Sequence, residues 1–171
     1  PNIAFGTNGN STWAKTRSTT VTVSDIGGVN TSSLKYLWNT STSTPSEGSF
    51  STTFTSGGTI NSPAGVTGGY YLWILAKDTE GNTTITRTNV FNLDNTAPSI
   101  TVDGSNPVYL PIGATYTDAG ARASDEHSGV GSVTPTGTVN VNTLGTYKIT
   151  YNVIDNAGNA ATPATRTVYV I

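Results

Sequence analysis

The stretch GYYLWILAKDTEGN at residues 69–82 has a near twin in TYKITYNVIDNAGN at residues 146–159. A constant offset of 77 places Tyr70 on Tyr147, Asp78 on Asp155, Gly81 on Gly158 and Asn82 on Asn159. Each copy is a period-two run that ends in an acidic, glycine-bearing corner. Period two is the signature of a strand, because successive side chains point to opposite sheet faces. In the second copy Tyr147, Ile149, Tyr151 and Val153 form the core face, while Lys148, Thr150 and Asn152 form a polar outer one. In the first, Tyr70, Leu72, Ile74 and Ala76 face the core, and the outer face carries Tyr71, Trp73 and Leu75, which is unusual for a wet sheet face.

Working outward, further strand-like runs lie at 18–23 (STTVTV), 34–39 (LKYLWN), 49–54 (SFSTTF), 84–93 (TITRTNVFNL), 99–102 (SITV), 107–110 (PVYL) and 165–171 (TRTVYVI). Clusters of Gly, Pro, Asn, Asp and Ser separate them, and no stretch has a helical period, so helix should be nearly absent. LDNTAPSI at 93–100 ends one strand and begins the next, with Pro98 fixing φ and removing a donor at the entry. The expected organisation is all-β, in two domains at 1–95 and 96–171. VSDIGGV at 23–29 and ASDEHSGV at 123–130 give each domain a second acidic segment, in an early loop.

Composition narrows the function. The 171 residues are 11% charged with net charge −2, so no basic face exists to neutralise nucleic-acid phosphates and no polybasic patch to hold a membrane. There is no cysteine, hence no disulfide, thiolate metal site or thiol nucleophile. That leaves a cytosolic protein or a secreted bacterial one, and a surface rich in Thr, Asn and Ser favours the second. No apolar run reaches the length of a membrane span. The chain begins at Pro1 and is taken as part of a longer protein whose targeting signals lie elsewhere.

These residues resemble bacterial surface immunoglobulin-like repeats. Over 97–171 the stretches APSITVDGSNPVYLPIGATYTDAGARASD, GTVNVNTLGTYKITYNVIDNAGNAA and TRTVYVI are similar to the hyalin-repeat-related Ig-like repeats of bacterial cell-wall proteins. Residues 1–95 resemble a more divergent bacterial Ig-like domain through TVTVSDIGGV and GGYYLWILAKDTEGN. The resemblance implies two tandem immunoglobulin-like Greek-key β-sandwiches, set in arrays on wall-anchored or secreted proteins as stalks, spacers or adhesin segments, with no activity. The implied partners are neighbouring domains of a larger parent protein and, for an adhesin, a host protein or glycan. An odd strand count would put the termini of each sandwich at opposite ends, so that short linkers string modules into a stiff rod. One departure is that this chain has DEHSGVG where many relatives carry a more acidic Asp-Gly-Asp stretch.

Catalytic constellations are sparse. His127, the lone histidine, sits in a polar run beside Asp125, Glu126 and Ser128, where adjacent loop residues do not converge as a triad must. Glu47, Glu80 and Glu126 lie in Gly/Ser/Thr-rich loops rather than in apolar pockets that would raise a carboxyl pKa. Lys35 and Lys77, at strand positions, are the candidates for a Lys–Asn isopeptide bond, although lysines capping strand ends explain both more simply. Trp13 and Trp38 are expected in the core. Tyr71 and Trp73 are the candidate ligand-binding residues. As an exposed aromatic strip they would suit an accessory carbohydrate-binding module of a secreted polysaccharide-degrading enzyme; the competing reading has a loop at about 40–48, or a partner domain, covering them.

The acidic corners have two readings. As a turn, the Asp accepts backbone N–H groups and the Gly supplies φ > 0. As a junction Ca²⁺ site, Asp94, Asp125, Glu126 and Asp155, with Asn95, Asn156 and backbone carbonyls, would provide the ~6–8 hard oxygens such an ion takes. By the same topology Asp25, Asp78 and Glu80 occupy the other domain's outer pole.

Overall fold

Runs of Val, Ile, Thr and Tyr punctuated by glycine build strands and little else: apart from one 3₁₀ turn at Glu47–Ser49, every regular element is a strand. The computed structural model describes residues 1–171, which divide into unit 1, Pro1–Asn95, and unit 2, Thr96–Ile171.

Unit 1 contains β1 (Asn2–Phe5), β2 (Asn10–Ala14), β3 (Ser18–Ser24), β4 (Val29–Asn39), β5 (Thr52–Thr53), β6 (Thr59–Asn61), β7 (Gly68–Asp78), β8 (Thr83–Arg87) and β9 (Phe91–Leu93). One sheet has the order β1-β3-β6; the other runs β2-β9-β7-β4-β5, with β8 also paired to β7. Strict alternation on β3 turns Val21 and Val23 inward, where they meet Leu34, Ile60, Leu72, Ile74 and Ala76. Removing such side chains from water is worth roughly 1.5–3 kcal/mol each, which makes this the unit's main source of stability.

Strand β7 is buried on both faces. Trp73 is 3% exposed and Leu75 4%, packed beneath Phe50 at 3% with Leu37, Tyr71 and Ile85 alongside. The chain leaving β4 supplies the cover: the Trp73 indole N–H donates to Asn39 Oδ1 at 3.0 Å and to the Ser41 carbonyl at 3.2 Å. Lys77 Nζ lies 2.7 Å from Glu47 Oε2 at the margin of this second core. The segment 49–54 is therefore strand only at Thr52–Thr53, because Phe50 turns in to cap Trp73. The run 84–93 is two strands rather than one. Thr88 interrupts it, its N–H donating to the Leu72 carbonyl at 3.0 Å while its Oγ1 accepts from Leu72 N–H at 3.1 Å. Strand β8 then pairs with residues 73–77 of β7 and β9 with residues 68–70. Trp38 is half-buried and meets Phe91 edge-on at 5.6 Å; Trp13 is half-buried outside the core clusters.

Unit 2 contains β10 (Ser99–Val102), β11 (Val108–Leu110), β12 (Ala121–Ser124), β13 (Thr134–Thr136), β14 (Gly145–Asn152) and β15 (Ala164–Val170). The sheets are β10-β12 and β11-β15-β14-β13, β11 lying parallel to β15. Ile149, Tyr151 and Val153 are buried, with Leu110, Val168 and Val170, whereas Lys148 and Asn152 are exposed, so the register of β14 is the one its alternation predicts. Tyr70 and Tyr147, expected on the core faces, are only half-buried, since each stands near the entry of its strand.

A charge shares the inward phase of β15. Arg166 is 1% exposed; its guanidinium pairs with Asp118 and donates to the carbonyls of Asp103 and, at 3.3 Å, Gly120. Asp118 in turn accepts the Tyr151 hydroxyl at 2.7 Å and the Tyr116 hydroxyl at 3.0 Å. Burial pushes the Tyr151 phenol well above its ordinary range, and the Asp118 carboxylate adds to the shift. Burial alone would raise Asp118 too, but the two hydroxyls and Arg166 outweigh it and hold the carboxyl below its usual value.

Tyr151→Ala is expected to cost about 3 kcal/mol through the lost packing. Tyr151→Phe, which keeps the ring and removes only the donor to Asp118, is expected to cost about 1–3 kcal/mol. Urea unfolding of the 171-residue chain measures both, and an alanine effect below about 1 kcal/mol would contradict the register of β14.

Candidate functional site

The twin corners are built alike. Asp78 Oδ1 accepts the N–H of Glu80 at 2.9 Å and of Asn82 at 2.8 Å, and Oδ2 accepts the Asn82 side-chain amide at 2.7 Å. Asp155 Oδ1 accepts the N–H of Asn159 at 2.7 Å and Oδ2 its side-chain amide at 2.7 Å. Gly81 and Gly158 take φ of 92° and 96°, the left-handed conformation that the turn needs and that glycine adopts without strain. For Asp78 the Asn82 amide is the leading influence, lowering the pKa against the opposing effect of burial. For Asp155 burial is the larger single influence and raises it, but the Asn159 side chain and the neighbouring backbone N–H groups reverse the sign.

Each corner is also tied to its early loop. In unit 1, Thr79 N–H donates to the Gly28 carbonyl at 3.1 Å and Thr79 Oγ1 to the Gly27 carbonyl at 2.8 Å. In unit 2, Asn156 N–H donates to the Gly129 carbonyl at 3.1 Å and Asn156 Nδ2 to the Ser128 carbonyl at 2.8 Å. Val29 faces Asp78 across the β4–β7 pair, and Val130 faces Asp155 in an isolated antiparallel bridge at the equivalent place. The early loops are themselves closed by aspartate. Asp25 Oδ1 accepts Gly27 N–H at 2.9 Å; Asp125 Oδ1 accepts three N–H groups, from His127 and Ser128 at 2.9 Å and Gly129 at 3.1 Å.

Of the residues predicted from sequence to hold a cation, unit 2 brings Asp125 and Asp155 together, with carboxylate oxygens within 4.8 Å of each other. Asp125 Oδ2 is shielded from water and has no hydrogen-bond partner in the protein, which leaves it free to accept. Glu126 is exposed on the same loop, and Asp94 is a buried residue of unit 1 whose N–H donates to the Ala14 carbonyl at 2.9 Å. A depression of about 330 Å³ beside the pair is lined by Thr96, Ala97, Ser99, Ser124, Asp125 and Glu126.

The aromatic strip is a correction. Trp73 is sealed beneath Phe50 and the segment after β4, so it offers no ring face to a sugar, and Tyr71 is half-buried with the Arg87 guanidinium 4.4 Å from its ring centre. Lys77 is committed to Glu47. The Asp118–Arg166 cluster was not anticipated, although a signal exists in Arg166 sharing the phase of Val168 and Val170 on one strand.

Residues 100–170 match the family model described as bacterial surface protein, Ig-like domain. That span takes in the strands of unit 2 almost entire, so the similarity to a bacterial immunoglobulin-like domain is one of unit 2. Among solved structures, fibronectin(III)-like modules of Clostridium thermocellum CbhA are similar over 99% of this chain and 94% of that one, at 14% identity and a TM-score of 0.40. Among curated proteins, none matches the chain. No helix is long and apolar enough to cross a membrane, which says nothing of strands.

Because the folded-state pKa of Asp155 is depressed, its contribution is present above the ordinary aspartate value of 3.8 and is lost as pH falls through the native value below it. Asp155→Asn is expected to lower stability at pH 7 by about 1–3 kcal/mol and to flatten the acid limb below about pH 4, as read by melting from pH 7 to 2. An acid limb as steep as that of the parent would place the titrating group elsewhere.

Proposed function

We propose that this chain is a pair of non-catalytic immunoglobulin-like modules from a bacterial surface or secreted protein, acting as stalk, spacer or adhesin segment beside other domains of its parent. The match of residues 100–170 carries this reading. The chemistry of the corners supports it: Asp78, Asp125 and Asp155 accept backbone N–H groups that close their own loops, and closure over Trp73 removes the platform on which an accessory carbohydrate-binding reading at Tyr71 and Trp73 depended. Unit 1 is read as a divergent copy of the same module, since its corner shares with that of unit 2 the Asp–Asn pairing and the backbone tie to the early loop. In this reading unit 2 is the copy related to hyalin repeats. Antibody raised against the 171 residues is expected to label intact cells of the source bacterium or its culture medium; signal confined to lysed cells would refute the surface reading.

A second proposal concerns Ca²⁺. The observation that favours it is the open acceptor Oδ2 of Asp125 close to the Asp155 carboxylate. In this reading Asp125 and Asp155 hold the ion, and Asp94 and Glu126 complete the acidic set drawn from the sequence. The ion would draw two like charges together and stiffen the loops that bear them. Calorimetric titration with Ca²⁺ is expected to give a saturable heat that disappears in Asp125→Asn and a melting temperature lowered by chelator. Asp94→Asn, tested alongside, reads whether that residue takes part. No heat and no chelator effect would leave the corners as turns.

A further inference from the structure

Unit 1 contains a crevice of about 480 Å³ that the acidic corners do not touch. Three separated segments build it, around Thr7, at Thr16–Ser18 and at Asn61–Ser62, with buried Phe91 behind them. Backbone bonds fix the parts: Ser62 N–H donates to the Arg17 carbonyl at 2.8 Å, Arg17 N–H to Ser62 Oγ at 3.0 Å, and Thr7 N–H to Thr19 Oγ1 at 2.9 Å.

Its single charged residue is Arg17. The unit's ion pairs are Pro1–Asp25 and Lys77–Glu47, so no carboxylate neutralises it. The guanidinium is held in place through Nη2, which donates to the Thr12 carbonyl and, at 2.8 Å, to Thr12 Oγ1. Its Nε is shielded from water and has no partner in the protein. With Nη2 engaged by Thr12 and Nε enclosed, Nη1 is the nitrogen left to donate, and a half-buried guanidinium held in place without a carboxylate partner is a receptor for an oxyanion. The rest of the lining is neutral and hydrogen-bonding, with hydroxyls on Thr7, Thr16, Ser18 and Ser62 and an amide on Asn61.

We infer that this crevice binds an acidic sugar, its carboxylate on Arg17 and its hydroxyl groups on the Ser, Thr and Asn side chains. One cation against one carboxylate balances the charge. A phosphate or sulfate, with greater charge concentrated on a smaller ion, would leave most of the hydroxyl lining unused, and an amine would be repelled. The volume lies within the ~300–1,000 Å³ common for small-ligand sites. The inference is independent of the Ca²⁺ proposal and of the surface assignment.

The test is amide chemical-shift titration of the full 171-residue chain with glucuronate, galacturonate and N-acetylneuraminate, with glucose, acetate and inorganic phosphate as comparisons. At least one acidic sugar is expected to shift the amides of Thr7, Ser18 and Asn61 saturably, with at least about tenfold tighter binding than glucose or acetate. Arg17→Ala should weaken it at least about tenfold and Arg17→Lys, which keeps the charge but loses the anchoring to Thr12 that fixes the donor, by an intermediate factor. Exposed Asn61→Ala provides a second variant, expected to weaken the sugar and leave the melting temperature unchanged. Binding indifferent to both positions, acetate or phosphate binding as well as the sugars, or no shift with any acidic sugar at about 10 mM would overturn the assignment.

Discussion

A carboxylate accepting backbone N–H groups holds the acid-bearing loops of both sandwiches in place. The chain has no cysteine to staple its loops, and a turn leaves several N–H groups without ladder partners. Asp78 and Asp155 satisfy those groups from within the turn, and the following Asn returns a side-chain amide to the same carboxylate. Once a corner is fixed, its neighbouring residue can bond to the early loop across the end of the sandwich. The loop in turn curls around its own aspartate, as Asp125 does with three donors on one oxygen. Charge-assisted bonds of this kind are roughly twice as strong as neutral ones, and here they act on loops that have little apolar surface to bury.

Unit 2 meets the same scarcity of apolar material inside its core. Arg166 occupies a place where Val168 and Val170 set the pattern, and the surrounding groups are arranged around that charge: Asp118 for the ion pair, Tyr116 and Tyr151 for the carboxylate, and two carbonyls for Nη2, with Nε left without a partner in the protein. A buried ion pair adds little net stability relative to an apolar filling, yet losing one member leaves the other uncompensated, so the network makes the packing specific. Unit 1 solves its own problem differently, by giving β7 two apolar faces and folding the chain after β4 over the second.

Much of this was legible in the sequence where local pattern governs. The alternation of Tyr147 to Val153 gave the correct faces, and Asp-Xaa-Xaa-Gly-Asn stated its turn. Strands β1, β2, β6, β12 and β13 escaped notice because they are short and carry Asn, Ala, Ser, Arg or Pro among their few residues, and their pairing comes from partners far along the chain. The fate of Trp73 was open for the same reason: whether an aromatic strip is wet depends on where Phe50 goes, which no local period encodes. The Arg17 crevice was invisible, since its walls lie about 45 residues apart in sequence and each residue alone is an ordinary surface Ser, Thr or Asn.

The parallel pairs β2–β9 and β11–β15 carry a mechanical consequence. In each unit a strand near the beginning of the chain lies beside one near its end, and both run in the same direction. Tension applied to the two ends of a unit pulls such partners oppositely along their length. The ladder bonds are then loaded together, in shear, instead of being peeled one at a time as in a hairpin opened from its free end. Resistance to pulling is thus set by a few short stretches, Asn10–Ala14 against Phe91–Leu93 and Val108–Leu110 against Val168–Val170, and only loosely by the free energy of the whole fold.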